Sequence, residues 1–279
     1  MSHSSFLSRR RVAAWLALGA AAAPLAALAA PPADFPEKGR TIRIVLGLAA
    51  GGASDAQARF VANKLGEVLQ TPVIVENRPG ASFILATEEV IRAAPDGYTF
   101  MYAPSSVVAQ NPQTLAQVRY DPFKDLTPIS LGARGPLVLT VHASVPARNV
   151  QELVAYIKAI PGKMSYASFG TGKVKILAIA ANARIAALPD VPTFAEQGVT
   201  GLDLPSWLGF YGPAHMPAPV VARLNAALAQ VLAMPQVRDF YRSGGYEAGA
   251  STPEEFAGIT RSSYERWGAM VQQVGLARQ

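Results

Sequence analysis

Cysteine is absent from all 279 residues. Without a thiol there is no disulfide, no thiolate metal ligand, no cysteine nucleophile and no attachment point for a lipoprotein-type anchor. Histidine is nearly as scarce, with His3, His142 and His215 only. Two histidines beyond residue 30 are too few for a His-rich metal site, and a Ser-His-Asp triad would have to recruit one of them. Neither has a sequence context that marks a base, and Ser105-Ser106 does not stand in a Gly-x-Ser-x-Gly elbow. Charge is sparse as well, at 16% of residues with 25 Lys+Arg against 19 Asp+Glu. Arg9, Arg10 and Arg11 account for part of that surplus; beyond residue 30 the balance is 22 basic against 19 acidic residues. With no basic cluster in that region, electrostatics gives no reason to expect a nucleic-acid or membrane-surface partner. Nor does any later segment hold ~18 uninterrupted apolar residues, the length that a membrane-crossing helix needs. A chain that is 50% hydrophobic is instead globular, with one large domain or two modest ones.

The first 30 residues read as a secretory signal peptide. Ser8-Arg9-Arg10-Arg11 precedes an uncharged Ala/Leu-rich run from Val12 to Leu28, and Ala27-Leu28-Ala29-Ala30-Pro31 sets small residues at cleavage spacing. Pro24 and the alanine content argue against a permanent anchor. The paired arginines suit a twin-arginine signal without its usual aromatic, so both export routes stay open.

Periodicity then predicts a strand over Thr41 to Leu46, a glycine loop, and a helix on which Ala58, Val61, Leu65 and Val68 recur. Val73 to Glu76 forms a second strand, Glu88 to Ala94 a helix ended by Pro95-Asp96-Gly97, and Tyr98 to Tyr102 a third strand. Such alternation implies parallel strands with crossover helices, an α/β architecture. Further strands are predicted over Leu126 to Leu131, Leu137 to Val141, Met164 to Ser168 and Val174 to Ala180. The last two are separated by Phe169 to Lys173, a span for a hairpin and far too short for a crossover. The final third reads as helical, with Val221, Leu224, Leu228 and Val231 on one face and a last helix opened by Thr252-Pro253-Glu254-Glu255, a capping box with proline at the first helical position.

The chemistry is concentrated in the loop from Gly47 to Asp55. A glycine loop between a strand and a helix presents unpaired backbone N–H groups at the positive end of the helix dipole, where anions bind. Gly51 and Gly52 permit close approach of a ligand, and Ser54 can cap the helix or donate to a carboxylate. Taken alone, the glycines equally fit a tight βα turn capped by Ser54 or Asp55. Gly47-x-Ala49-x-x-Gly52 is also one substitution from the dinucleotide fingerprint, with Glu76 ending the next strand, but Asp55 would repel a pyrophosphate. Glu88-Glu89 and Glu254-Glu255 occupy adjacent helical positions, which suits solvated faces and caps rather than an acid/base dyad.

Seven motifs in order carry a resemblance to a known family: Ala49-Ala50-Gly51-Gly52-x-x-Asp55, Val75-Glu76-Asn77-Arg78-Pro79-Gly80-Ala81, Ala94 to Thr99, Asn111-Pro112, Tyr120-Asp121-Pro122-x-Lys124-Asp125, Pro161-Gly162-Lys163-x-x-Tyr166-Ala167-Ser168, and Leu188 to Thr193. Thr252 to Phe256 with Trp267 fits too. The chain resembles the Bug (Bordetella uptake gene type) receptors of tripartite tricarboxylate transporters. The resemblance implies a non-enzymatic, periplasmic solute-binding protein of α/β fold, type II periplasmic-binding-protein-like, with two lobes of mainly parallel sheet closing on a small carboxylate. It implies no cofactor and no metal; the partners would be the carboxylate, the transporter's membrane subunits and a sensor protein. The lobes would comprise residues 41–124 plus 202–279, and residues 125–201. Carried over, the ligand loops fall on Ala49, Gly51, Gly52, Ser54 and Asp55, on Ala103, Ser105 and Ser106, and on Ser168, Gly170 and Thr171, with Asp55 supporting its loop rather than touching the anion.

Two departures from the family pattern carry expectations of their own. Ser82-Phe83 follow Ala81 where the family has a glycine, which would set a bulky ring at the cleft and change specificity. After Gly172 the chain passes almost directly to a strand that normally follows a further helix, strand, helix and strand, so the second lobe is expected to be truncated. The competing expectation is a truncated receptor that no longer binds solute and acts as an interaction or sensor-docking protein.

Overall fold

The computed structural model describes residues 35–161, 174–185, 188–202 and 206–279. The leader, the expected strand from Met164 to Ser168 and the hairpin expected after it lie outside the described residues.

Strand β1 (Ile42–Leu46) buries Ile42, Ile44, Val45 and Leu46 completely, as a strand covered on both faces must. Helix α1 (Ala53–Leu69) turns Ala58, Val61, Ala62, Leu65 and Leu69 inward at three- and four-residue spacing. There follow β2 (Val73–Asn77), a short turn over Ala81–Phe83, α2 (Ile84–Ile91) and β3 (Thr99–Pro104). After α3 (Ser105–Ala109) and α4 (Asn111–Thr114), the chain forms β4 (Leu126–Gly135), β5 (Leu137–His142), α5 (Val150–Ala159) and β6 (Val174–Ala180). It ends with β7 (Ser206–Pro213), α6 (Ala218–Ala233), α7 (Pro235–Ser243), β8 (Glu247–Ala248) and α8 (Pro253–Val274). The capping box on α8 is present: Thr252 accepts from the Glu255 amide, and Glu255 accepts from the Thr252 amide.

A six-stranded sheet runs in the order β2-β1-β3-β7-β4-β8. β1 is parallel to β2 and β3, whereas β7 is antiparallel to both β3 and β4. Two strands antiparallel to one neighbour share a direction, so β4 ends at the same sheet edge as β1 and β3. Helices α1, α6 and α7 pack together on one face, and α8 packs with α3 on the other. The strands alternate accordingly. Tyr102 and Phe210 stack on the first face, where the Tyr102 hydroxyl donates to Gln57 of α1 and lies 3.2 Å from that of Tyr241 on α7. Trp207 and Tyr211 face α8, bonded to Ser263 and Thr260. Gly209 leaves the space that the Phe256 ring fills, since a Cβ there would lie 2.0 Å from it.

The final third is therefore not only helical: β7 lies in the middle of the sheet. Helix α2 also begins earlier than its sequence pattern suggests, directly after the turn. The small sheet pairs β5 with β6 antiparallel, from Leu137↔Ala180 to His142↔Val174. Helix α5 covers it through Leu153, with Val141, Ala147 and Leu177 as the buried neighbours. The chain leaves the large sheet after Gly135 and rejoins it at Ser206. Among the described residues no single helix is long and apolar enough to cross a membrane.

Candidate functional site

β1 lies between β2 and β3, so the chain steps from β1 to one side through α1 and then crosses to the other through α2. Right-handed crossovers put such helices on opposite faces, which opens a crevice beyond the carboxyl ends of β1 and β3. The glycine loop after β1 and the segment after β3 flank that crevice.

Gly52 is the N-cap of α1, in extended conformation and with no side-chain cap. The first amides of a helix have no intrahelical acceptor. Among the described residues nothing accepts from the amides of Gly52, Ala53 or Ser54, and the Ser54 hydroxyl has no partner. The Gly51 amide is different: it donates to Asp55 Oδ2 at 3.0 Å. Asp55 is buried, and the same oxygen accepts from Arg59 Nε at 3.0 Å, while its Oδ1 accepts from Asn77 Nδ2 at 2.9 Å. Asn77 in turn donates to the Leu48 carbonyl and accepts from Arg59. Helical spacing brings Arg59 to Asp55, and β2, parallel to β1, brings Asn77 to both. Asp55 ties the loop down and has no free face for an anion, and the open donors sit one step on, at Gly52 to Ser54.

Burial pulls the Asp55 carboxyl upward, but hydrogen bonds from Arg59, Gly51 and Asn77, with the Arg59 charge, outweigh it and bring the pKa down to about 2. A carboxyl whose folded pKa lies below its unfolded value contributes stability that is complete above about 4 and lost as pH falls through about 2. The contribution is of order 2 kcal/mol. Urea unfolding between pH 5 and pH 2 is expected to show the midpoint falling chiefly below pH 4; a midpoint flat over that range would contradict the network.

Near the end of β3, Ala103 is buried in register with Gly209, and Ser105 and Ser106 begin α3 after Pro104. Ser105 is 8% exposed, Ser106 is half-buried, and among the described residues neither hydroxyl is bonded elsewhere. His142 Nδ1 lies 2.8 Å from Ser144 Oγ on an exposed turn, and among the described residues no histidine is hydrogen-bonded to Ser105 or Ser106. No metal-ligating group of three or more acidic or histidine side chains occurs among the described residues. Ser168, Gly170 and Thr171 lie outside the described residues.

The turn after β2 forms a third wall. Gly80, Ala81, Ser82 and Phe83 have φ of 133°, 45°, 53° and 75°, so three successive non-glycine residues adopt left-handed conformations. Each costs of order 1–2 kcal/mol. Buried polar groups hold the turn: Asn111 Nδ2 donates to the Ser82 carbonyl at 2.7 Å and Thr87 Oγ1 to the Phe83 carbonyl at 2.9 Å. The sequence places the Phe83 ring at the cleft; the ring is in fact 4% exposed, lodged under the glycine loop. A Cβ on Gly47 would stand 2.2 Å from its Cδ1. Asn111 and Thr87 position this wall; the Asn111-Pro112 motif marks the first by resemblance alone, since the carbonyl it holds lies 29 residues away, and the Thr87 bond depends on the left-handed turn before α2.

The family profile described as "Tripartite tricarboxylate transporter family receptor" matches residues 57–173 and 171–276. A Cupriavidus necator relative, "UPF0065 protein in gbd 5'region", is 29% identical over 333 aligned positions that take in 100% of this chain and 99% of that protein. The solved structure of the periplasmic binding protein BugD superposes with a TM-score of 0.79 at 25% identity, covering 88% of this chain and 100% of that one. MatC from Rhodopseudomonas palustris with bound malate superposes with a TM-score of 0.76 at 25% identity, covering 85% and 100%. With the profile matched along most of its length and the fold shared with Bug-type periplasmic binding proteins, this chain belongs to the tripartite tricarboxylate transporter family of receptors.

Proposed function

We propose that this protein is a periplasmic receptor that captures a small carboxylate and delivers it to the membrane subunits of a tripartite tricarboxylate-type transporter, its signal peptide being removed on export. One observation carries the reading: the free amides of Gly52, Ala53 and Ser54, at the start of a 17-residue helix, open onto the crevice that Ser105 and Ser106 also flank. A carboxylate there would receive N–H bonds at the positive end of the dipole and O–H bonds from the serines. The malate bound by MatC supports the ligand class. Ala49, Gly51 and Asp55 would shape the loop, and Ala103 would back the serines. Ser168, Gly170 and Thr171 would supply the facing lobe.

The two lobes of the proposal are the large sheet with its helices and the smaller β5–β6–α5 unit. Closure follows from contact with both, since only a ligand that binds the closed form better shifts the equilibrium. The second lobe would be shortened yet binding-competent. Two profile matches that meet at residues 171–173, and an alignment of 333 positions for a chain of 279 residues, support the shortening.

Calorimetric titration and thermal unfolding of residues 31–279 against malate, other di- and tricarboxylates and aromatic acids test the function. At a ligand concentration of 100 Kd the native state gains about 2.7 kcal/mol, which raises the midpoint by roughly 5–10 °C in a chain of this size. A cooperative transition that no carboxylate moves overturns the proposal.

A further inference from the structure

Resting on that receptor reading, we propose that Arg134 is a second anion-binding residue, which selects solutes with a second carboxylate. Sheet register places it. Pro104 of β3 lies opposite Leu208 of β7, and Leu208 lies opposite Ala133 of β4. Arg134, opposite Trp207, therefore stands level with the residue that follows Pro104, which is Ser105, two strands away. Two strand spacings are about 10 Å, a gap that an arginine side chain extended along the sheet edge and a dicarboxylate would together span. Residues directly paired across strands share a face, so Arg134 lies on the Trp207 side of the sheet, the side covered by α8 and, packed against it, α3.

The guanidinium is available. Its cross-strand neighbour on β8 is Glu247, a natural ion-pair partner, but the two make no bond. Arg134 instead lines a groove of about 710 Å³ with Ser206, Ser262, Ser263 and Glu255 over a floor that includes Trp207. The other arginines around the crevice loops are committed: Arg59 to Asp55 and Asn77, Arg43 and Arg78 to Glu76 and Glu89. A carboxylate seated at Ser105 with a second at Arg134 makes a dicarboxylate the matching shape and charge, and guanidinium suits it by offering two parallel donors. Glu255 is the opposing charge in the groove. One of its oxygens accepts from the Thr252 amide, so it is held by the capping box, but its charge weakens attraction for a dianion.

The test compares malate and adipate with butyrate and hexanoate by calorimetric titration of the wild-type protein, Arg134→Gln and Glu255→Gln. Wild type is expected to prefer the dicarboxylates at least tenfold. Arg134→Gln, at an exposed position, is expected to abolish that preference, lowering dicarboxylate affinity at least tenfold and monocarboxylate affinity far less, with little change in the unfolding midpoint. Glu255→Gln keeps a capping-box acceptor and is expected to strengthen dicarboxylate binding several-fold. A wild type without preference, or a preference that survives Arg134→Gln, overturns the role of Arg134 alone. Binding of neither class by the wild type overturns the receptor reading as well.

Discussion

Gly47→Ala is expected to lower the unfolding midpoint by several degrees and to weaken carboxylate binding at a loop it does not itself close. The added methyl group would stand 2.2 Å from Phe83 Cδ1, well inside contact distance. Phe83 has little room to retreat. Its backbone is held by the Thr87 bond and, through Ser82, by Asn111, and its ring is packed in the main core. The loop must therefore move instead, carrying the amides of Gly52 to Ser54 with it. Overpacking of this kind costs about 1–3 kcal/mol, or roughly 2–10 °C for a chain of this size. Phe83→Ala alone would destabilise by about 3–5 kcal/mol through the cavity it leaves. Combined with Gly47→Ala the loss should be smaller than the sum, because each change occupies or empties the same space. A double-mutant cycle by urea unfolding, with malate titration of each variant, checks both parts. Additive losses, or unchanged ligand affinity in Gly47→Ala, would mean that the ring does not set the loop position.

How far this site was legible in the sequence depends on whether its determinants are local. The strand, glycine loop and helix around Gly51 and Gly52 were legible because burial periodicity and turn chemistry act over a few residues. So was the Thr252–Glu255 cap. The role of Asp55 as a loop support was also legible, though its partner Asn77 comes from the next strand. The central strand β7 was not, because Ser206–Pro213 contains two glycines that read as turn signals. Gly209 and Gly212 instead make room for Phe256 and Met216, residues 47 and 4 positions away. Phe83 misled in the opposite sense. Local reading sees a large ring replacing a glycine, but the left-handed turn that rotates it inward is held by Asn111, on an element beyond the third strand. Arg134 became conspicuous only through the register of three strands.

Asp55→Ala tests whether the proposed anion seat is held from behind or merely capped. The substitution removes the acceptor for the Gly51 amide, for Arg59 and for Asn77 at once. Water can reach Arg59, which is about half exposed, so the cost falls below that of stranding a fully buried charge, for which 3–5 kcal/mol is typical. A loss of about 2–3 kcal/mol is expected on that ground. The electrostatic and mechanical consequences for binding then oppose each other. Removing a negative charge beside the seat and freeing the Arg59 cation favours an anion. Releasing the Gly51 amide loosens the loop that holds the donors in place, and preorganised donors are what bind a carboxylate against water. Because Asp55 and Arg59 nearly neutralise each other in the wild type, the electrostatic gain is small at physiological salt, and malate affinity should fall. Asp55→Asn, which keeps one oxygen and the side-chain volume, should lie between the two in stability. The acid limb provides the internal control. Both variants should lose the share of destabilisation between pH 4 and pH 2 that titration of Asp55 supplies, so their stability difference from the wild type narrows as pH falls toward 2. A difference that stays constant with pH would mean that Asp55 stabilises the protein through packing alone and that the loop is held by something other than its charge.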